Sequence, residues 1–157
     1  MRVRPILLAT LAAALLASCG GGDDPEPADG KSEGHESVAV IEGWTEALSE
    51  GDVAGAAEFF AIPSVAQNGT TPLTLCTRDD ITAFNRSLPC GAELVRARPA
   101  GRIIAATFRL TERPGGSCGS GSGELARTAF VIEDGKIVQW RRLPDPPGDG
   151  SGNGPIV

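Results

Sequence analysis

The sequence predicts an α+β domain in which helices pack on one face of an antiparallel sheet. Three observations carry this. Apolar residues recur at helical spacing in the first half of the folded segment and alternate with period two in the second half. The alternating half also contains an Asp134-Gly135 pair placed as a hairpin turn.

The first helix is read from Val40, Ile41, Trp44, Ala47 and Leu48, with Glu42, Glu46 and Glu50 on other faces. Gly51 is placed to end it, and Asp52 to cap a short second helix, DVAGAAEFF, whose apolar side is Val53, Ala56, Ala57 and Phe60. Pro63 prevents that helix from continuing. Residues 64–75 read as extended chain, broken at Asn68-Gly69 and Pro72. A third helix follows as TRDDITAFNRSL, capped by Thr77, with Asp79 and Asp80 in the first turn where they complement the helix dipole. Ile81, Phe84 and Leu88 form its apolar stripe, and Pro89 closes it.

The remainder reads as strand. Residues 92–98 lead into a Pro99-Ala100-Gly101 turn, and residues 102–112 place Ile104, Ala106, Phe108 and Leu110 on one face. PGGSCGSGSG is a loop. Residues 125–133 alternate again through Ala126, Thr128, Phe130 and Ile132, and residues 136–143 form the last strand.

The two ends of the chain have a different character. Arg2 and Arg4 precede an apolar run from Ile6 to Ala17, about the length of a signal-peptide core and short of the roughly 20 residues that span a bilayer. Leu16-Ala17-Ser18-Cys19 resembles the lipobox of bacterial lipoproteins. That resemblance implies a signal peptide over 1–18, cleavage before Cys19, and lipidation of Cys19 that holds the protein on the extracytoplasmic face of the cell membrane. Two acyl chains suffice for stable anchoring. Residues 19–35 are rich in Gly, Pro and acid and read as a tether; residues 144–157 read as a tail of similar composition. The domain between them covers 36–143. The formal charge is −6, and loss of Arg2 and Arg4 takes it to −8. Such a balance argues against nucleic acid as a partner.

Within the domain, GWTEALSEGDVAGAAEFFA and the later TAFVIEDGKIVQWRRL resemble the SnoaL-like branch of the nuclear transport factor 2-like superfamily. The first stretch matches that group's opening helix, Gly-Asp corner and second helix, and the second its closing hairpin. The resemblance implies a cystatin-like cone, in which helices close over a strongly curved antiparallel sheet with a pocket at the open end. It also implies pairing of two copies through the convex side of the sheet.

Two functional readings follow. One is a non-catalytic module for a small apolar ligand, or an interaction module. The other is a SnoaL-like isomerase, cyclase or hydrolase acting on a small apolar substrate. Relatives that isomerise ketosteroids use a tyrosine in the oxyanion hole, and this chain has none. Its one histidine, His35, falls in the tether, and no aspartate falls in a predicted strand. The residues therefore favour binding, with no catalytic residue, cofactor or metal assigned. Trp44, Phe60, Phe84, Phe108, Phe130 and Trp140 face the space between helices and sheet, as core or as pocket wall. Gln67 and Asn68 lie on the segment that rims the pocket in relatives, and are the candidate polar contacts. Arg96, Arg98, Arg109 and Arg127 are read either as a solvated outer face balanced by glutamates or as a basic patch for an acidic ligand.

Export permits disulfides. Cys90 precedes one strand of a predicted hairpin and Cys118 follows the other, so their ends are adjacent and this pair is the expected bridge. Cys76 is then a free thiol, expected to be buried.

Overall fold

The computed structural model describes residues 29–69 and 71–144, with side chains from residue 34 onward. The signal peptide, Cys19, residues 19–28 of the expected tether and residues 145–157 of the tail lie outside the described residues. Three helices, α1 (Asp29–Ser49), α2 (Val53–Glu58) and α3 (Arg78–Ser87), pack on a six-stranded sheet. The strands are β1 (Phe60–Gln67), β2 (Leu73–Leu75), β3 (Gly91–Ala100), β4 (Ile103–Thr111), β5 (Leu125–Glu133) and β6 (Lys136–Leu143), in the order β2-β1-β6-β5-β4-β3.

Local chemistry sets the helix ends. Gly51 adopts φ +81°, a left-handed conformation that L side chains resist, and so ends α1. The Asp52 carboxylate then accepts from the Gly55 amide at 2.8 Å and starts α2. In α3 a capping box forms. The Thr77 hydroxyl accepts from the Asp80 amide at 3.1 Å, and the Asp80 carboxylate accepts from the amides of Thr77 (3.0 Å) and Cys76 (3.1 Å). The Thr77 side chain beside the Asp80 carboxylate, followed by the Cys76 and Thr77 amides that donate to it, holds that carboxyl below the ordinary aspartate value against the desolvation that opposes them.

The structure departs from the sequence reading in several places. Helix α1 begins at Asp29, so residues 29–35 belong to the helix and not to a linker. Gly34 stands beside Pro99 of β3, so this part of the helix runs along the sheet edge. Helix α2 stops at Glu58, and Phe60 is already strand, because the Phe59 carbonyl accepts from the Ile137 amide at 2.8 Å. Pro63, which follows a cis peptide bond, lies in β1 where its register against β6 shifts. Strand β1 runs parallel to β6, so the sheet is mixed at that one pair and antiparallel elsewhere. β3 continues through Pro99 and Ala100, which an edge strand tolerates, and turns at Gly101. The β5–β6 hairpin turns at Asp134 (φ 50°) and Gly135 (φ 69°), the two positive values of a type I′ turn.

The inner sheet face and the helices share one core built on Ile41, Trp44, Leu48, Phe60, Ile81, Phe130, Ile137 and Trp140. Helix α1 is tied to the sheet by Ser49, whose hydroxyl donates to the Ala92 carbonyl and accepts from the Ala92 amide, both at 3.0 Å. Gly91 makes this approach feasible: a Cβ there would stand 2.8 Å from the Thr111 hydroxyl and 3.1 Å from the Ser49 Cα.

The bridge between Cys90 and Cys118 is present, with a Cα separation of 4.5 Å. Cys76 is free but exposed, contrary to expectation. It sits between the edge strand β2 and the α3 cap, where Leu75 turns inward and its neighbour outward.

Candidate functional site

Trp44 on α1 is the hub of the aromatic set. Its ring meets those of Phe130, Phe108, Phe60 and Trp140 edge-on at centroid distances of 5.6, 6.2, 6.4 and 6.4 Å. Phe84 on α3 closes the group against Trp140 (5.2 Å) and Phe60 (6.0 Å). The Trp44 indole N–H donates to the Asn85 side-chain oxygen at 2.8 Å, and the Asn85 amide donates to the Ile81 carbonyl at 2.9 Å. Asn85 is fully buried and so fixes the orientation of the central indole.

Beside this layer lies a cavity of about 200 Å³. Its walls include Trp44 and Leu48 of α1, Leu88 and Pro89 after α3, and the half-cystine Cys90. The sheet contributes Phe108, Ala126, Thr128, Trp140 and Arg142, and Asn68 stands at the β1 end. Of the sequence-derived candidates, Trp44, Asn68, Phe108 and Trp140 thus come together around the space. Phe60, Phe84 and Phe130 belong to the packed layer beneath it and are not among its walls. Gln67 lies on the opposite face of the sheet, in register with Arg141, because the period-two alternation that turns Ala66 inward turns its neighbour outward. Arg142 was legible but missed: two residues after the inward Trp140, it had to point inward as well.

Trp140 is 4% exposed, and its indole N–H finds no acceptor among the described residues. Of the two indoles that wall the cavity, the Trp44 N–H is satisfied by Asn85, while the Trp140 N–H is itself buried and unpaired among the described residues. Among the described residues its lining contains no Asp, Glu, His or Tyr. Glu112 and Glu133, acids near strand ends, are occupied elsewhere. The Glu112 carboxylate accepts from the amides of Cys118 (3.2 Å) and Gly119 (3.0 Å), and Glu133 pairs with Arg102. No three of His, Cys, Asp and Glu converge as a metal site among the described residues.

The rim next to the cystine is stiffened by Arg113, which the sequence reading did not single out. It is 6% exposed, and its guanidinium donates to the carbonyls of Leu88 (2.6 Å), Arg86 (3.2 Å) and Asn85 (3.4 Å). These are the carbonyls at the α3 C-terminus, where a cation also suits the helix dipole. A larger open groove of about 490 Å³ runs between the start of α1 and β3, past His35, Val38, Glu42 and Leu94. It follows the sheet edge and takes in none of the aromatic cluster.

Comparison of this architecture with solved structures decides the fold. A putative polyketide cyclase from Sinorhizobium meliloti aligns at TM-score 0.55 and 17% identity, over 67% of this chain and 94% of its own. The chain has the nuclear transport factor 2-like fold. A putative ketosteroid isomerase from Kribbella flavida aligns at TM-score 0.53 and 16% identity, over 80% of this chain and 93% of its own. A nuclear transport factor 2-like protein of unknown function from Cytophaga hutchinsonii aligns at TM-score 0.55 and 10% identity, over 70% and 90%. At these identities the likeness is one of fold. No family model and no curated protein matches the sequence.

Proposed function

We propose that this chain is an exported lipoprotein, held through lipidated Cys19 on the extracytoplasmic face of a membrane, whose domain binds a small apolar ligand without transforming it. The observation that supports binding is the wall chemistry of the 200 Å³ cavity. Two indoles, a phenyl ring, aliphatic side chains and a cystine surround it, and its polar side chains are Asn68, Thr128 and Arg142. Pockets of this composition recognise shape through apolar contact and orientation through a few polar groups. The size suits a molecule of one or two rings, since an apolar cavity of about 150 Å³ already accepts benzene.

General acid–base chemistry needs a titratable group within hydrogen-bond reach of the reacting atom. The lining offers no carboxylate, imidazole or phenol for that task among the described residues. The cyclase and isomerase names of the fold neighbours therefore lend the reading a pocket and not a reaction. Native mass spectrometry of the protein extracted from its own membranes tests both halves of the reading. The expected result is an acylated Cys19 and a co-purifying small molecule that is lost in Ala92→Leu, a change at the half-buried mouth. An unacylated protein would sink the anchor. A protein that turned over an added substrate would sink the non-catalytic reading.

A further inference from the structure

The outer face of the sheet carries a charge opposite to that of the protein as a whole. The register β3–β4–β5–β6 sets Arg98, Ala105, Ala129 and Arg141 in one row and Arg96, Thr107, Arg127 and Leu143 in the next. A third row holds Glu93, Arg109 and Leu125. Ala106, Phe108, Ala126, Thr128, Phe130 and Trp140 alternate with these and are buried, which places all three rows on the side away from the helices. Five arginines and one carboxylate thus share an area roughly 14 Å by 14 Å, from strand spacing and rise. The protein bears a formal charge of −6. Among the described residues the ion pairs found are Arg78–Glu58 and Arg102–Glu133, neither of which uses these five side chains. Of the acids on α1 and at its end, Glu36, Glu46 and Glu50 are exposed, and Glu42 lines the groove beside β3 that also takes in Arg96.

We infer that this outer sheet face is a docking surface for an anionic membrane, on which the domain lies with its helices directed away from the lipid. Three observations favour a bilayer over a second copy of the chain. A twofold contact through this face would set the same five arginines against one another, and like charges directly opposed are destabilising. Exposed apolar side chains, Leu125 at 45%, Ile103 at 43% and Val95 at 52%, sit in and beside the arginine rows. Guanidinium groups interleaved with aliphatic ones suit phosphate headgroups over hydrocarbon. Finally, α1 enters against β3, with Gly34 beside Pro99, next to Arg96 and Arg98. Whatever their conformation, the ten positions from Cys19 to Asp29 span at most about 35 Å, so an anchor at Cys19 keeps this face within reach of the surface. The inference rests in that last respect on the lipoprotein reading, while the charge argument stands without it.

The test uses the full exported chain carrying Cys19→Ser, shown by mass spectrometry to lack acyl groups, and flotation with vesicles. Vesicles of phosphatidylcholine with 30% phosphatidylglycerol are compared with phosphatidylcholine alone. The expected result is at least tenfold tighter binding to the anionic vesicles, falling steeply as salt rises and the Debye length shortens. The triple variant Arg98→Ser/Arg127→Ser/Arg141→Ser should lose at least tenfold, and Arg102→Ser, at the turn, less than twofold. Equal binding to both vesicles, or a triple variant that binds as the parent does, overturns the inference. So does sedimentation showing a dimer that the triple variant dissolves, since the face would then belong to a second copy. If the wild-type chain proves unacylated while the Cys19→Ser chain still prefers anionic vesicles, the anchor reading has failed and the docking surface has not.

Discussion

Replacing both Cys90 and Cys118 with alanine removes the one covalent crosslink of the domain. The bridge closes a loop with a sequence separation of 28. A loop of that length restricts the unfolded chain by an entropy worth about 3.6 kcal/mol at 25 °C. The half-cystines are only 8% and 9% exposed, so alanine also removes a little buried surface. Unfolding free energy should therefore fall by roughly 3–4 kcal/mol. For a small domain with a urea slope of about 1–3 kcal/mol/M, the midpoint drops by roughly 1–3 M. The slope itself should rise, because the uncrosslinked unfolded chain exposes more surface. Urea denaturation followed by tryptophan fluorescence reads both quantities, since both tryptophans are in the core. A loss below about 1 kcal/mol would refute the reasoning, and would mean that the loop between the cysteines stays restrained in the unfolded state by something other than the bridge.

Three further outcomes are expected. Arg113→Ala should cost about 2–4 kcal/mol in the same assay, because it strips donors from buried carbonyls at the α3 C-terminus and leaves them unpaired; Arg113→Lys should recover only part, lacking the planar fork. Asn85→Ala should cost about 2–4 kcal/mol, since it orphans the Trp44 N–H and opens a small void; combined with Trp44→Phe, the two losses should sum to more than the double variant shows. Asp80 has a lowered folded-state pKa, so its contribution is complete above the unfolded value of 3.8 and is lost as pH falls through the lower folded value. The acid limb of stability against pH should accordingly flatten in Asp80→Asn below the unfolded value of 3.8, and an unchanged limb would show that the capping box carries none of it.

Much of this fold could be read from local chemistry. The Gly51-Asp52 corner, the Thr77 cap and the Asp134-Gly135 turn each need particular residue types, and each was found where those residues stand. The cystine was legible because both cysteines flank one hairpin. What escaped depended on contacts distant in sequence. The start of α1 has weak propensity and runs beside β3 at Gly34 and Pro99; the parallel β1–β6 pair joins residues some seventy-five positions apart; Arg113 acts on carbonyls of α3 that no spacing reveals. Within the site, alternation separates Asn68 from Gln67 and brings in Arg142. Which aromatics would line the space and which would pack beneath it depended on the sheet's curvature, which alternation does not encode.

The central claim is that the cavity walled by Trp44, Phe108 and Trp140 receives a small apolar molecule. The chain has two tryptophans, both on that cavity, so a ¹H–¹⁵N spectrum of the intact protein carries two indole resonances. Titration with 1-naphthol, an uncharged two-ring molecule, tests the claim directly. The account predicts saturable shifts of the indole resonances, since both rings wall the cavity and an occupant would stack against them. Two indole resonances that stay still while the probe reaches millimolar concentration, or that drift without saturating, would contradict it.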